Sequence, residues 1–198
     1  MPKQSLKTGK ENLHYNGKPI GFKLLDFWQW SVSDLVSNVT RGRLAEFIVA
    51  TSLEVDFKTP RDEWQAYDLL TPQGIKVEVK SASFIQSWNQ IKYSTIIFST
   101  KATKYWDRKS NSYAKTIKRQ ADIYVFCLLS YLDHTTINPL NLDQWEFYIL
   151  STKELNNYKR SKVSISLGSL KKLAPSVKYE AIKETVIDCY NKQYCDNK

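Results

Sequence analysis

Two acidic residues and a lysine lie on either side of a tight turn, at a spacing that could support chemistry. Asp68 precedes residues 72–74 (PQG), and Glu78 and Lys80 follow them. A three-residue hairpin loop usually ends in a glycine with positive φ, and Gly74 fits that position. Counting outward from this turn places Asp68 opposite Glu78, with Lys80 on the same face. Opposed carboxylates repel each other, and a bound divalent cation would turn this repulsion into attraction, so the spacing would suit a divalent-cation site beside a lysine.

The strand that carries Glu78 alternates regularly between apolar and charged residues. Ile75, Val77 and Val79 point one way, and Lys76, Glu78 and Lys80 point the other. The short string acidic-x-Lys occurs four times in the chain, but only this copy lies in an alternating strand with an acid across a hairpin. Two interpretations stay open at this point: a solvated face of mixed charge, or a catalytic site.

A helix expected at residues 41–53 carries a third carboxylate, that of Glu46. Leu44, Phe47 and Ile48 form one apolar stripe, and Val49 lies on a second apolar face, so we expect the helix to be buried. Burial of an unpaired carboxylate is unfavourable. Glu46 therefore either forms a salt bridge, with Arg43 or another basic residue, or is a third acid of the site.

The remaining pattern predicts a single domain that spans residues 1–198. Residues 1–20 are polar and basic and are expected to be loosely ordered, and short helices are expected within 22–40. Further elements follow from periodicity and turn signals. They are strands at about 64–71, 75–83, 94–99, 121–129, 145–151 and 163–167, a short helix from Thr152, and an amphipathic helix at 178–193.

The net charge of +9 and the pI near 9.3 favour a polyanionic partner, and nucleic acid is the first candidate. Much of this charge lies in residues 101–119, which are expected to form a polar loop or helix with aromatic residues interleaved. Such a segment suits phosphate and base contacts, although a solvated helix face explains it equally well. The candidate nucleic-acid-binding residues are Lys101, Lys104, Arg108, Lys109 and Lys115.

Several other classes of protein do not fit the sequence. The longest apolar run, residues 123–129, has seven residues, and a membrane span needs about 20. The first residues lack the apolar core of a signal peptide, so we expect a cytoplasmic protein without membrane association. The three cysteines and two histidines form no zinc-type cluster.

The order of these elements resembles the core of the PD-(D/E)XK nuclease superfamily, over about residues 41–130. The resemblance implies an α/β fold with a restriction endonuclease-like core, in which helices flank a mixed four- to five-stranded sheet. It also implies that Asp68 and Glu78 bind metal, that Lys80 is catalytic, and that Glu46 is the helical glutamate many members carry. Tyr67 replaces the proline of the motif, which members often lack. The whole chain also resembles an uncharacterised bacterial group of similar size.

Taken together, the residues and the resemblance predict a metal-dependent nuclease that acts in restriction or repair, with DNA as a better candidate substrate than RNA. The expected ion is Mg²⁺, with Mn²⁺ as a substitute, bound by Asp68, Glu78, Glu46 and the Val79 carbonyl. A homodimer would supply the two cuts of a duplex. The alternatives are a non-catalytic nucleic-acid-binding module and a subunit of a larger assembly.

Overall fold

The computed structural model describes residues 5–62, 64–107 and 111–195. In chain order, the strands are β1 (Asn12–Tyr15), β2 (Lys18–Lys23), β3 (Leu69–Leu70), β4 (Lys76–Ser83), β5 (Ile97–Ser99), β6 (Trp106–Asp107), β7 (Ser112–Tyr113), β8 (Ile123–Leu129), β9 (Trp145–Ser151) and β10 (Ser164–Ser166). The helices are α1 (Leu24–Val32), α2 (Asn38–Ser52), α3 (Thr152–Asn157), α4 (Leu167–Leu173) and α5 (Ile182–Cys195).

A mixed four-stranded sheet with the order β3-β4-β8-β9 forms the centre of the fold. β4 is antiparallel to β3 and parallel to β8, and β8 is antiparallel to β9. Helices cover both faces of this sheet, as described below. The predicted α/β architecture, a mixed sheet flanked by helices as in a restriction endonuclease-like core, is therefore confirmed.

Strand β8 is buried along its whole length, because both faces of the sheet are covered. Ile123, Val125 and Cys127 face a layer formed by α2 and α5. Tyr124 and Phe126 face a second apolar cluster, which includes residues of α3, α4, β5 and β10. The near-continuous apolar run predicted this double burial correctly.

Helix α2 is fastened to β4 by a buried arginine as well as by apolar packing. Ala45 and Val49 are completely buried. Arg41 is 3% exposed, and its guanidinium donates to Ser81 Oγ on β4, to the Val36 carbonyl and to Asn38 Oδ1. These bonds satisfy a cation that burial would otherwise disfavour, and they fix the start of α2 against the strand that carries Glu78.

The N-terminal part of the chain differs from the prediction of a loosely ordered segment. Strands β1 and β2 form an antiparallel hairpin, and α1 follows β2 directly. Residues 1–4 lie outside the described residues. Phe27 and Trp30 on α1 are 50% and 84% exposed, so these aromatic side chains are not core residues. The polar composition of residues 1–20 concealed this hairpin, although its turn at Asn16 and Gly17, where both residues have positive φ, is a recognised hairpin signal.

Two further predictions differ in detail from the structure. Of the polar loop or helix expected at residues 101–119, the described part is a loop, in which β6 and β7 form a small hairpin with the Trp106 and Tyr113 rings packed edge to face at 5.0 Å. The strand expected at 94–99 is shorter and pairs with β10 in a separate two-stranded sheet. In both places a few long-range or aromatic contacts override weak local patterns.

Within the described ranges, no helix is long and apolar enough to cross a membrane.

Candidate active site

The turn between β3 and β4 has the predicted register. The backbone N–H of Gly74 donates to the Thr71 carbonyl at 2.9 Å, and Gly74 has a φ of +83°. Leu69 pairs with Val77, and Leu70 pairs with Lys76. One further step along this ladder sets Asp68 opposite Glu78, as the sequence predicts.

Asp68 lies immediately before β3, and both its backbone and its side chain bind β4. Its N–H donates to the Val77 carbonyl at 3.1 Å, and its Oδ2 accepts from the Val79 N–H at 2.8 Å. The carboxylate thus accepts the hydrogen bond that a backbone carbonyl would accept if β3 extended further toward its N-terminal end. Since the N–H and C=O of one strand residue point to the same side, the Val79 carbonyl is directed toward the Asp68 edge.

Glu78 and Lys80 lie on the same face of β4, while Val77 and Val79 are buried on the other face. The side chains of Glu78 and Lys80 are 21% and 30% exposed, respectively, and Lys80 Nζ lies 2.5 Å from Glu78 Oε1. Burial raises the pKa of Glu78, and repulsion from Asp68 raises it further, whereas Lys80 and Arg61 lower it. The repulsion predicted from opposed carboxylates is therefore present.

Glu46 approaches the same acids from helix α2. Its side chain is 17% exposed, and it forms an ion pair with Arg61. Burial raises the pKa of Glu46, and repulsion from Asp68 adds to this effect, while Arg61 opposes it. Glu46 therefore forms the salt bridge of the first interpretation, with Arg61 as the basic partner, and it also lies within the electrostatic reach of Asp68. Its role as a third acid of the site stays a prediction.

Arg61 is the functional candidate that the sequence analysis missed. It lies between α2 and β3, in a segment without regular structure, and its Nε donates to Glu46 Oε2 while its Nη2 lies 3.3 Å from Asp68 Oδ1. One guanidinium thus bridges two candidate metal ligands. No periodic pattern marks residue 61; the only available signal was that a buried Glu46 requires a basic partner.

The donor set fits a hard cation in its chemistry, because it offers only carboxylate and carbonyl oxygens. Within 5–62, 64–107 and 111–195, however, no three acidic, histidine or cysteine side chains are arranged to hold one metal ion. Instead, Arg61 bridges Glu46 and Asp68, and Lys80 pairs with Glu78. The protein's own cations balance two of the three negative charges.

A cavity of about 620 Å³ opens beside these acids, between α2, residues 55–62 and β3. Glu46, Asp68 and Arg61 line it together with apolar side chains. Among the latter, the Phe47 and Phe57 rings lie 5.2 Å apart, and Phe47 is 54% exposed rather than part of a buried stripe. Glu46 and Asp68 therefore face an accessible space that a substrate could enter, whereas Glu78 and Lys80 are not among the residues that line it.

The predicted nucleic-acid-binding residues are only partly described. Lys101, Lys104 and Lys115 are exposed, in the segment that contains the β6–β7 hairpin. Arg108 and Lys109 lie outside the described residues.

Comparison with known families gives a match over most of the chain. The family model of bacteriophage T4 endonuclease IV matches residues 24–168, which is most of the chain and includes Glu46, Arg61, Asp68, Glu78 and Lys80. A search of curated proteins gave no match.

Proposed function

Since the chain belongs to the bacteriophage T4 endonuclease IV family, we propose that it is a metal-dependent endonuclease that hydrolyses DNA. The observation that carries the proposal is that Asp68, Glu78 and Lys80 lie together beside β4, where the short strand β3 begins. Membership of the PD-(D/E)XK superfamily is part of the proposal and is supported by the helix–hairpin–strand order around these residues.

Asp68 and Glu78 would bind Mg²⁺, or Mn²⁺ in its place, with the Val79 carbonyl and Glu46 as further oxygen donors. When bound, such an ion would supply Lewis-acid stabilisation to the phosphate and lower the pKa of water. The hydrogen bond from the Val79 N–H holds Asp68 Oδ2 and fixes the orientation of the whole carboxylate. The Asp68 side chain is therefore already ordered, and binding of a ligand to Oδ1 requires no further loss of side-chain freedom.

Lys80 would act on the attacking water or on the phosphate that it approaches. Its ammonium is held beside Glu78 and its side chain is 30% exposed, so it can contact both Glu78 and an incoming substrate. A lysine in this position can orient the water, accept its proton after losing its own, or stabilise negative charge that develops on the phosphate.

Binding to DNA is supported by the basic composition of the chain. A charge of +9 attracts a polyanion over a long range, and exposed lysines near the aromatic pair of β6 and β7 suit contacts to phosphates and sugars. We also propose that the protein acts in restriction or repair, which the superfamily resemblance implies. We propose that it acts as a homodimer, because two copies would supply the two cuts of a duplex.

A non-catalytic nucleic-acid-binding module is the second candidate. It is favoured by the ion pairs that Arg61 and Lys80 form with all three acids, since a binding module needs no vacant ligand oxygens.

Nicking of supercoiled plasmid in Mg²⁺, with EDTA as the metal-free control, separates the two functions. We expect Mg²⁺-dependent nicking by the wild type, and rates lower by about 10²- to 10⁴-fold for Asp68→Asn, Glu78→Gln and Lys80→Ala. Lys76→Ala is the matched control, because Lys76 lies on the same strand but is exposed. Nicking that survives in all three variants would exclude this site, and DNA binding without nicking would favour the binding module.

A further inference from the structure

Arg61 lies between two of the acids that are proposed to bind the metal ion. Its guanidinium reaches Glu46 on α2 with Nε and Asp68 beside β3 with Nη2. These are two different carboxylates on two different elements, so the contact is a bridge and not an ordinary two-pronged salt bridge to one acid. Arg61 is itself 36% exposed and reaches the bridge from a segment without regular structure.

The oxygen that Arg61 contacts is the one that a metal ion would need. Asp68 has two carboxylate oxygens, and Oδ2 is directed at the Val79 N–H, 2.8 Å away. Oδ1 therefore points away from the strand, and Arg61 Nη2 lies 3.3 Å from it. A guanidinium and a divalent cation at this distance would repel each other strongly in a half-buried site, so they compete for Oδ1.

The same contact keeps the acids together before a metal arrives. Burial and mutual repulsion raise the pKa of Glu46, and Arg61 acts in the opposite direction. Without Arg61, two half-buried carboxylates would face each other with no cation between them, which disfavours the folded state.

We propose that Arg61 is a positioning residue that stands in for the metal: it holds Glu46 and Asp68 together in the metal-free protein and yields Asp68 Oδ1 when a divalent cation binds. This inference rests on the proposed function, because it assumes that the acids bind a metal. Replacement of Arg61 should therefore have two opposite effects. The metal-free protein should become less stable, and its affinity for a divalent cation should rise.

The test is a titration of the full-length protein with Mn²⁺ in the absence of DNA, followed by the electron paramagnetic resonance signal of free Mn²⁺. We expect Arg61→Gln to bind Mn²⁺ on the order of tenfold more tightly than the wild type. Its metal-free melting temperature should be lower. Arg61→Lys should lie between the two, since a lysine keeps the charge but has no planar fork with which to span both acids.

Arg43→Gln is the matched control for charge. Arg43 lies on α2 one turn before Glu46, lines the same cavity, and lowers the pKa of Glu46 through its charge. If Arg43→Gln tightened Mn²⁺ binding as much as Arg61→Gln, general charge and not the bridge would explain the effect, and the inference would fail.

The remaining outcomes are equally decisive. Unchanged or weaker Mn²⁺ binding by a folded Arg61→Gln variant would overturn the inference and leave the proposed nuclease intact. Absence of Mn²⁺ binding in the wild type and in all variants would overturn both the inference and the metal dependence of the proposed function.

Discussion

Individual residues in this site are held in place by bonds that do not depend on the proposed ligand. Asp68 is tied to the β4 backbone through its side chain, Glu78 is paired with Lys80, and Glu46 is paired with Arg61. The positions of Asp68, Glu78 and Lys80 were predictable from strand register alone, because the type of turn fixes which side chains face each other. Arg61 lies in an irregular segment, where no periodicity relates sequence position to location in space.

The carboxylate of Asp68 should contribute to stability as well as to activity. Asp68→Asn retains an oxygen that can accept from the Val79 N–H, whereas Asp68→Ala leaves that N–H without its partner. We expect both variants to lose nicking activity, and Asp68→Ala to be less stable than Asp68→Asn by about 1–3 kcal/mol. Urea denaturation of the metal-free proteins measures the difference. Equal stabilities would show that the bond contributes nothing.

The stability of the metal-free protein should depend on the ionisation of Glu78. Burial first, and then repulsion from Asp68, raises the pKa of Glu78 above its usual value of 4.5. A raised acid pKa stabilises the fold fully below the unfolded-state pKa, and this contribution is lost as the pH rises through the folded-state pKa.

Glu78→Gln should therefore lose less stability than the wild type between pH 5 and pH 8 in EDTA. Thermal unfolding at several pH values in that range tests this expectation, with Glu180→Gln as a control, since Glu180 is exposed. A wild type that loses no more stability than Glu78→Gln over this range would contradict the assigned direction of the shift.

At the scale of elements, the β3–β4 hairpin brings the acids into register. Its sequence carries strong turn signals at Pro72 and Gly74, which is why both its position and its register were predictable. The β1–β2 hairpin was predictable in principle, because Leu13, Tyr15, Ile20 and Phe22 alternate on either side of an Asn16-Gly17 turn, but the polar composition of residues 1–20 concealed it. Strands β6 and β7 have only two residues each, too few to show a period. Strand β5 was placed correctly in sequence but paired with the distant β10, a contact that local patterns do not encode.

Gly74→Ala tests the importance of this turn. Gly74 has positive φ, and a Cβ at this position would meet no atom within 4 Å, so the penalty comes from the backbone alone. We expect a loss of about 1–2 kcal/mol in unfolding free energy and a lower nicking rate. Gly42→Ala in α2 is the control, because its Cβ also enters open space and alanine favours helix by roughly 0.5–1 kcal/mol. Equal effects at the two positions would be inconsistent with the turn geometry.

At the scale of the whole molecule, the charge of +9 should govern how the protein meets DNA. Combined replacement of Lys101, Lys104, Arg108 and Lys109 by alanine should weaken DNA binding and flatten its salt dependence. The slope of log affinity against log salt should fall by about 0.9 for each phosphate contact removed. Fluorescence anisotropy at several salt concentrations provides the measurement.

An equal loss of charge elsewhere is the control for this experiment. Lys171, Lys172, Lys183 and Lys192 lie on α4 and α5, away from the basic segment in sequence. Their combined replacement removes the same formal charge and should change the slope less. If both sets of variants changed the slope equally, DNA would be attracted by overall charge and not by residues 101–119.

The central claim is that Asp68 and Glu78 together bind a divalent cation, and a crystal structure grown with Mn²⁺ tests it most directly. Anomalous scattering at the manganese edge locates the ion independently of any assumption about its ligands. We predict one strong peak within about 2.5 Å of an Asp68 oxygen and a Glu78 oxygen, with Arg61 displaced from Asp68 Oδ1. A fully occupied Mn²⁺ site elsewhere, with Arg61 still bridging Glu46 and Asp68, would contradict the account.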